Sequence, residues 1–130
     1  MYYFAYGSNL SKKQMQERCP DSRPLFVATL PNYKLVFSGW SRKWMGSVAT
    51  IKSFRGEKVR GALYEVSDAS LRQLDKHETG YTRQNVTVFD EDNEAHQAVT
   101  YIKSGQLEES VPSQRYGEVI RQGYKDWGLI

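Results

Sequence analysis

The sequence predicts an α+β domain built on a mostly antiparallel sheet, with the option of closure into a barrel. Three observations carry that reading. About six short apolar or alternating runs, each bounded by Gly, Pro, Asn or Asp, read as strands. A few amphipathic stretches with 3–4 spacing read as helices between them. The irregular interleaving of the two argues against a repeating βαβ pattern.

Taken in order, Met1 to Tyr6 is an apolar and aromatic run that reads as a buried strand, and it stops at Gly7-Ser8-Asn9. Ser11 to Arg18 is polar and opens a short helix, and Pro20 to Pro24 is a turn. Leu25–Leu30 and Tyr33–Phe37 read as two strands separated by Pro31-Asn32. Ser38 to Gly46 carries Trp40 and Trp44 and is expected to be an ordered loop. Strands at Ser47–Ile51 and Val59–Val66 follow, with Gly61 marking a bulge or a close backbone approach. Ser67 is a fitting N-cap for a helix that runs to about Glu78 and stops at Thr79-Gly80. Tyr81–Phe89 and Ala95–Lys103 alternate as a hairpin around the acidic turn Asp90–Glu94. Pro112 to Trp127 closes the chain as a helix with Tyr116, Val119, Ile120, Tyr124 and Trp127 on one face.

Composition bounds the function. At 130 residues, with 39% hydrophobic and 25% charged side chains, residues 1–130 are expected to form a single globular domain with a real core. Nine Tyr and three Trp suit either a dry, hydrogen-bonding pocket or the core of a β-rich domain. The net charge of +3 comes without a dense basic block, which disfavours nucleic-acid binding. The single cysteine, Cys19, excludes an internal disulfide and argues against a cysteine-based metal site. No apolar run reaches the roughly 18 residues of a membrane span, and no signal-peptide pattern leads the chain. A cytoplasmic location without membrane partners is the expectation, and the oligomeric state is open.

Two places carry chemistry. A strand, a Gly turn and a helix start present free backbone N–H groups to an anionic or carbonyl ligand. Gly7 permits a positive φ and close ligand approach at that turn, although an ordinary strand-to-helix turn has the same local sequence. In the helix Leu71–Glu78, Glu78 lies at i+7 and i+4 from Leu71 and Leu74, so a carboxylate is aimed along the apolar stripe. Burial there raises a carboxylate's pKa toward the range useful for proton transfer. The competing expectation is a Glu at a frayed helix end that escapes to water. Asp75 and His77 project to other faces. Neither His77 nor His96 has metal-ligand spacing to a second ligand, and no convincing Ser or Cys nucleophile is evident. No metal, nucleotide or other cofactor site is expected.

Five blocks, Phe4–Leu10, Gly46–Ile51, Val59–Tyr64, Leu74–Glu78 with Tyr81, and Ser113–Ile120, together resemble the gamma-glutamylcyclotransferase family in order and spacing. The resemblance implies a small mixed, mostly antiparallel β-barrel with flanking helices and a pocket at its mouth. It implies cofactor-independent cleavage of a gamma-glutamyl amide to 5-oxoproline and a free amine or amino acid. By position Glu78 becomes the proton acceptor. Tyr3, Phe4, Ala5, Tyr6, Gly7, Ser8, Asn9 and Leu10 become the loop that holds the glutamyl group, with Tyr81 and Tyr116 lining the site. The runner-up is a non-catalytic module on the same fold that binds a small carboxylate metabolite. A third reading makes the aromatic surface around Trp40 and Trp44 an adaptor for nucleic acid or protein. The loop 38–46 and the segment 104–112 are candidates for shaping the acceptor side.

Overall fold

Five strands close into a barrel in the order β1-β3-β2-β4-β5, and the computed structural model describes residues 1–103, 105 and 108–130 of the chain. β1 (Tyr2–Ala5) leads through a 3-10 turn (Ser8–Leu10) into α1 (Lys12–Arg18). β2 (Arg23–Ser41) and β3 (Gly46–Glu65) follow as one long hairpin, then α2 (Asp68–His77). β4 (Tyr81–Phe89), β5 (Ala95–Lys103) and α3 (Gln114–Asp126) complete the chain. β1 lies antiparallel to β3 and parallel to β5, meeting the latter at Tyr3 and Val99, so the barrel is mixed.

The expected short strands fuse pairwise. Leu25–Leu30 and Tyr33–Phe37 are parts of β2, which also takes in Arg23, Pro24 and the first part of the anticipated Trp loop, Ser38 to Ser41, leaving a tight turn before Gly46. Likewise the strands at 47–51 and 59–66 are two limbs of β3. The reason lies in the register: Pro31 pairs with Lys58 and Tyr33 with Ser53, so the turn-forming residues are absorbed as a bulge rather than ending the ladder. Asn32 takes φ 62° there and its Oδ1 accepts from Gly56 N at 3.1 Å. Met45, at φ 58°, makes the turn between the two strands.

Helix boundaries follow capping chemistry. Ser11, Ser67 and Ser113 are the N-caps of α1, α2 and α3, each side chain accepting from the backbone N–H three residues on. Pro112 therefore lies outside α3, and Glu78 sits one residue beyond α2 as its C-cap. Phe4, Leu30, Ile51, Val59, Leu63, Val88 and Ile120 fill one core cluster; Leu10, Met15, Tyr64, Leu71, Leu74 and Tyr101 fill a second. Gly61 answers the expected close approach: a Cβ there would sit 2.8 Å from Phe4 Cζ and press on the Ala5 carbonyl.

Candidate active site

The segment after β1 is held down from below. Tyr64 hydroxyl donates to the Asn9 carbonyl at 2.9 Å, and Trp127 Nε1 donates to the Leu10 carbonyl at 2.8 Å. α3 comes close enough to do this because residue 123 is glycine; a Cβ there would lie 2.5 Å from Leu10 Cβ. Gly7 has φ −117°, so the expectation of a positive φ is corrected. Its value is proximity: an added Cβ would be 3.3 Å from Ala49 Cβ and 3.6 Å from the Tyr116 hydroxyl. The 3-10 turn's first bond runs from Leu10 N to Gly7 O at 3.0 Å, which leaves the Ser8 and Asn9 amides ahead of it without a partner inside the turn.

Asn9 links this loop to the end of α2. Its Nδ2 donates to Glu78 Oε1 at 3.1 Å and to the Tyr3 hydroxyl at 3.0 Å. Its Oδ1 accepts from Gln14 Nε2 and from Arg18 Nη1, both at 3.0 Å. With both Oδ1 contacts coming from donors, the amide is fixed in the orientation that offers N–H to Glu78. Gln14 Nε2 also donates to Ser8 Oγ at 2.8 Å. Gln14 and Arg18 stand one turn apart on α1, which is why one helix face reaches the loop twice.

Glu78 does not escape to water: its side chain is only 14% exposed. Burial pushes its carboxyl above the ordinary range, against the opposing pull of Arg18, Asn9, Lys103 and Lys43. Arg18, 7% exposed, brings Nη1 to 4.0 Å from Glu78 Oε1. Two tyrosines hold the backbone of one β3 residue, Ala49, through the two peptide groups that flank it. Tyr116 hydroxyl accepts from Ala49 N at 2.9 Å and Tyr81 hydroxyl donates to Ala49 O at 2.5 Å. Burial raises the phenols of Tyr3, Tyr6 and Tyr81 well above their usual value and that of Tyr116 to about 12, so all four stay protonated at neutral pH.

These side chains line a cavity in two parts. A narrow inner recess of about 30 Å³ is bounded by Tyr3, Tyr6, Gly7, Ser8, Asn9, Ala49, Glu78, Tyr81, Tyr101 and Tyr116. It opens at Ser8, Glu78, Tyr81 and Tyr116 into a cleft of about 380 Å³ walled by Arg18, residues 40–44, Val48, residues 76–79 and Lys103. Tyr3, Tyr6, Gly7, Ser8, Asn9, Glu78, Tyr81 and Tyr116 are thus brought together. Phe4, Ala5 and Leu10 are fully buried and line neither part: Phe4 and Leu10 pack in the core and Ala5 pairs with Ala62 in the sheet. Arg18, Gln14 and Ala49 escaped the sequence reading; the i, i+4 spacing of Gln14 and Arg18 was the one available clue.

Trp40 and Trp44 border the cleft, and the Trp44 ring meets Tyr116 edge-on with centroids 5.0 Å apart. Of the segment 104–112, Ser104, Gln106 and Leu107 lie outside the described residues, while Glu109, Ser110 and Pro112 contact Ser38, Phe37 and Ser47 away from the cleft. His96 does have ligand-type neighbours, contrary to expectation: its ring nitrogen, Asp90 and Glu94 place ligand atoms within 4.8 Å of one another. That cluster sits at the β4–β5 turn and none of it lines the cavity. Among the described residues, no helix is long and apolar enough to cross a membrane.

The family described as "Gamma-glutamyl cyclotransferase, AIG2-like" matches residues 3–127. The chain is 32% identical to a Homo sapiens protein named gamma-glutamylcyclotransferase, over 98% of this chain and 71% of that one. A Bos taurus protein of the same name is 34% identical over the same shares. A solved structure titled "Gamma-glutamyl cyclotransferase" superposes with a TM-score of 0.94 at 30% identity, covering 99% of this chain and 80% of the other. With a match over nearly its whole length, a barrel of the same topology and a carboxylate at the mouth, the chain belongs to the gamma-glutamyl cyclotransferase, AIG2-like family.

Proposed function

We propose that this protein is a gamma-glutamyl cyclotransferase that releases 5-oxoproline from a gamma-glutamyl amide, with Glu78 moving the protons. The observation that carries the reading is the Asn9–Glu78 hydrogen bond of 3.1 Å, which fixes a mostly buried carboxylate at the junction of recess and cleft. The substrate's α-ammonium gives a proton to Glu78, and the freed amine attacks the γ-carbonyl carbon. A five-membered ring forms with two hydrogens still on the attacking nitrogen. Glu78 passes its proton to the leaving nitrogen as the bond from that carbon to it breaks, then takes the second proton from the ring nitrogen and hands it to the freed amine, which departs as an ammonium. No water is consumed and no enzyme nucleophile is required.

The remaining parts fit the same step. The Ser8 and Asn9 amides, unused inside the 3-10 turn, are the donors available to the developing oxyanion or the α-carboxylate. The adjoining cleft has room for the flexible glutamyl chain, and the tyrosine-walled recess behind it takes one end, holding the chain folded with amine and carbonyl at near-attack distance. Ser8 Oγ is engaged by Gln14 Nε2, not by a base, so it has no activated-nucleophile role. A pure binder of small carboxylates would gain nothing from a carboxylate at this position.

A panel of gamma-glutamyl amino acids and amines, assayed by mass for 5-oxoproline, tests the proposal. Glu78→Gln keeps the shape and removes the base, and the turnover rate is expected to fall about 10²–10⁴-fold. Silence of the wild type on every substrate, or full activity of the Gln variant, would overturn it.

A further inference from the structure

The cleft outside Glu78 carries an uncommon concentration of one charge. Arg18, Arg42, Lys43, Lys76 and Lys103 all line it, with Glu78 as the one carboxylate among the lining residues. These cations come from separate elements: α1, the β2–β3 turn, α2 and the end of β5. Ion pairs elsewhere join Arg23 to Glu65, Lys52 to Glu109, and Arg83 to Asp75, so the fold has carboxylates to give. Among the described residues the cleft cations receive none except Glu78, which stands 4.0 Å from Arg18.

Their neighbours are aromatic faces instead. Lys43 Nζ lies 5.3 Å and the Arg115 guanidinium 5.1 Å from the Trp44 ring, and Lys103 Nζ lies 5.0 Å from the Tyr81 ring. The crowding registers electrostatically as well. Burial first, then Arg18 and Arg115, lower the Lys43 ammonium against weaker opposing pulls from Glu78 and Glu17; burial first, then Arg18 and Lys43, hold His77 toward its neutral form. Converging like charges without partners repel one another unless an anion lies between them.

The glutamyl half of a substrate answers only part of this field. Its α-carboxylate takes one partner, and its α-ammonium faces Glu78. The rest of the field falls on the leaving group. We propose that the outer cleft is an acceptor subsite for a leaving amine with two anionic groups, so that the favoured substrate is a gamma-glutamyl conjugate of a dicarboxylic amino acid. The inference rests on the cyclotransferase reading for turnover, but not for binding. A neutral amine would leave the cations unpaired, and a monocarboxylic amino acid would engage the cleft only in part.

Gamma-glutamyl-glutamate and gamma-glutamyl-glutamine make the deciding comparison, because they differ in charge and hardly in shape. The glutamate conjugate is expected to show about tenfold higher kcat/KM at low ionic strength, mostly through KM. Added salt is expected to narrow the gap as screening shortens toward about 3 Å at molar ionic strength. Lys43→Gln together with Lys103→Gln, drawn from separate elements, is expected to bring the ratio toward one. Equal kcat/KM for the two conjugates, or a preference indifferent to salt, would overturn the subsite; the salt series on the wild type keeps the test valid if the double variant folds poorly. If no gamma-glutamyl compound yields 5-oxoproline, it is the cyclotransferase reading that fails. Calorimetric titration with the same two conjugates then decides the subsite alone, with tighter binding of the glutamate conjugate supporting it and equal binding refuting it.

Discussion

Glu78 bears two consequences at the scale of a single residue. Its carboxyl is held above the ordinary range by burial. As a proton acceptor it must be ionised, so activity is expected to rise with pH through this raised value and to fall away on the acid side earlier than an exposed carboxylate would dictate. A pH–rate profile that is flat until the ordinary carboxylate range would contradict this. The same shift has a sign for stability. A group whose pKa is raised by folding stabilises the native state below its unfolded value and loses that contribution as pH climbs through the folded one. Above that window the ionised Glu78 is a burden that Gln is free of. Glu78→Gln is therefore expected to melt higher than wild type near pH 8 and close to it near pH 4, as followed by circular dichroism.

Between elements, the loop at the barrel mouth is set by what it rests on. α3 has Gly123 where any side chain would meet Leu10 and the Ser11 nitrogen, at 2.5 and 2.7 Å respectively. Glycine inside a helix ordinarily costs about 1 kcal/mol against alanine, so an unconstrained Gly→Ala change would stabilise. Here the sign reverses: Gly123→Ala forces α3 away from the 3-10 turn, with an expected loss of about 1–3 kcal/mol from overpacking. Because Trp127 and Leu10 share that contact, through a 2.8 Å hydrogen bond, Asn9 is expected to shift and turnover to drop with it. Urea unfolding and 5-oxoproline release, measured side by side, check both halves. A stabilised variant with intact activity would show that the helix yields freely.

Across the whole molecule the barrel closes late in chain terms. β1 pairs with β3 at Phe4 and Leu63 and meets β5 at Tyr3 and Val99, so its partners lie far along the sequence. Contacts of that separation require loop closure before they return any stabilisation, and folding in the millisecond-to-second range is expected. Stopped-flow refolding followed by Trp fluorescence measures it, and a microsecond phase carrying the full amplitude would argue against barrel closure as the slow step. The seam also reaches the candidate site, since Tyr3 sits on it and its hydroxyl accepts from Asn9.

Much of this was legible in the residues. Alternation in 81–89 and 95–103 defined the hairpin, the Ser67 cap placed the start of α2, and the Leu71–Leu74–Glu78 stripe aimed a carboxylate inward. Those features are local: a strand period, a capping hydroxyl and a helical repeat depend on residues a few positions apart. What misled was equally local. Pro31-Asn32 and the polar stretch between Ile51 and Val59 read as breaks between strands, yet the ladder resumes beyond them because pairing is decided by the partner strand.

The sequence by itself therefore determined most element types, the Ser67 cap and the two halves of the candidate site, the turn after β1 and the acid after α2. Only the tertiary structure decided that Gln14 and Arg18 orient Asn9, and that Tyr116 and Tyr81 bond the N–H and the carbonyl of Ala49. It also turned a scattered net charge of +3 into a cationic cleft, by bringing residues 18, 42, 43, 76 and 103 to one wall-lined space. The physical reason is range: periodicity and capping act over a few residues, whereas charge convergence and peptide clamping arise only when distant segments are packed.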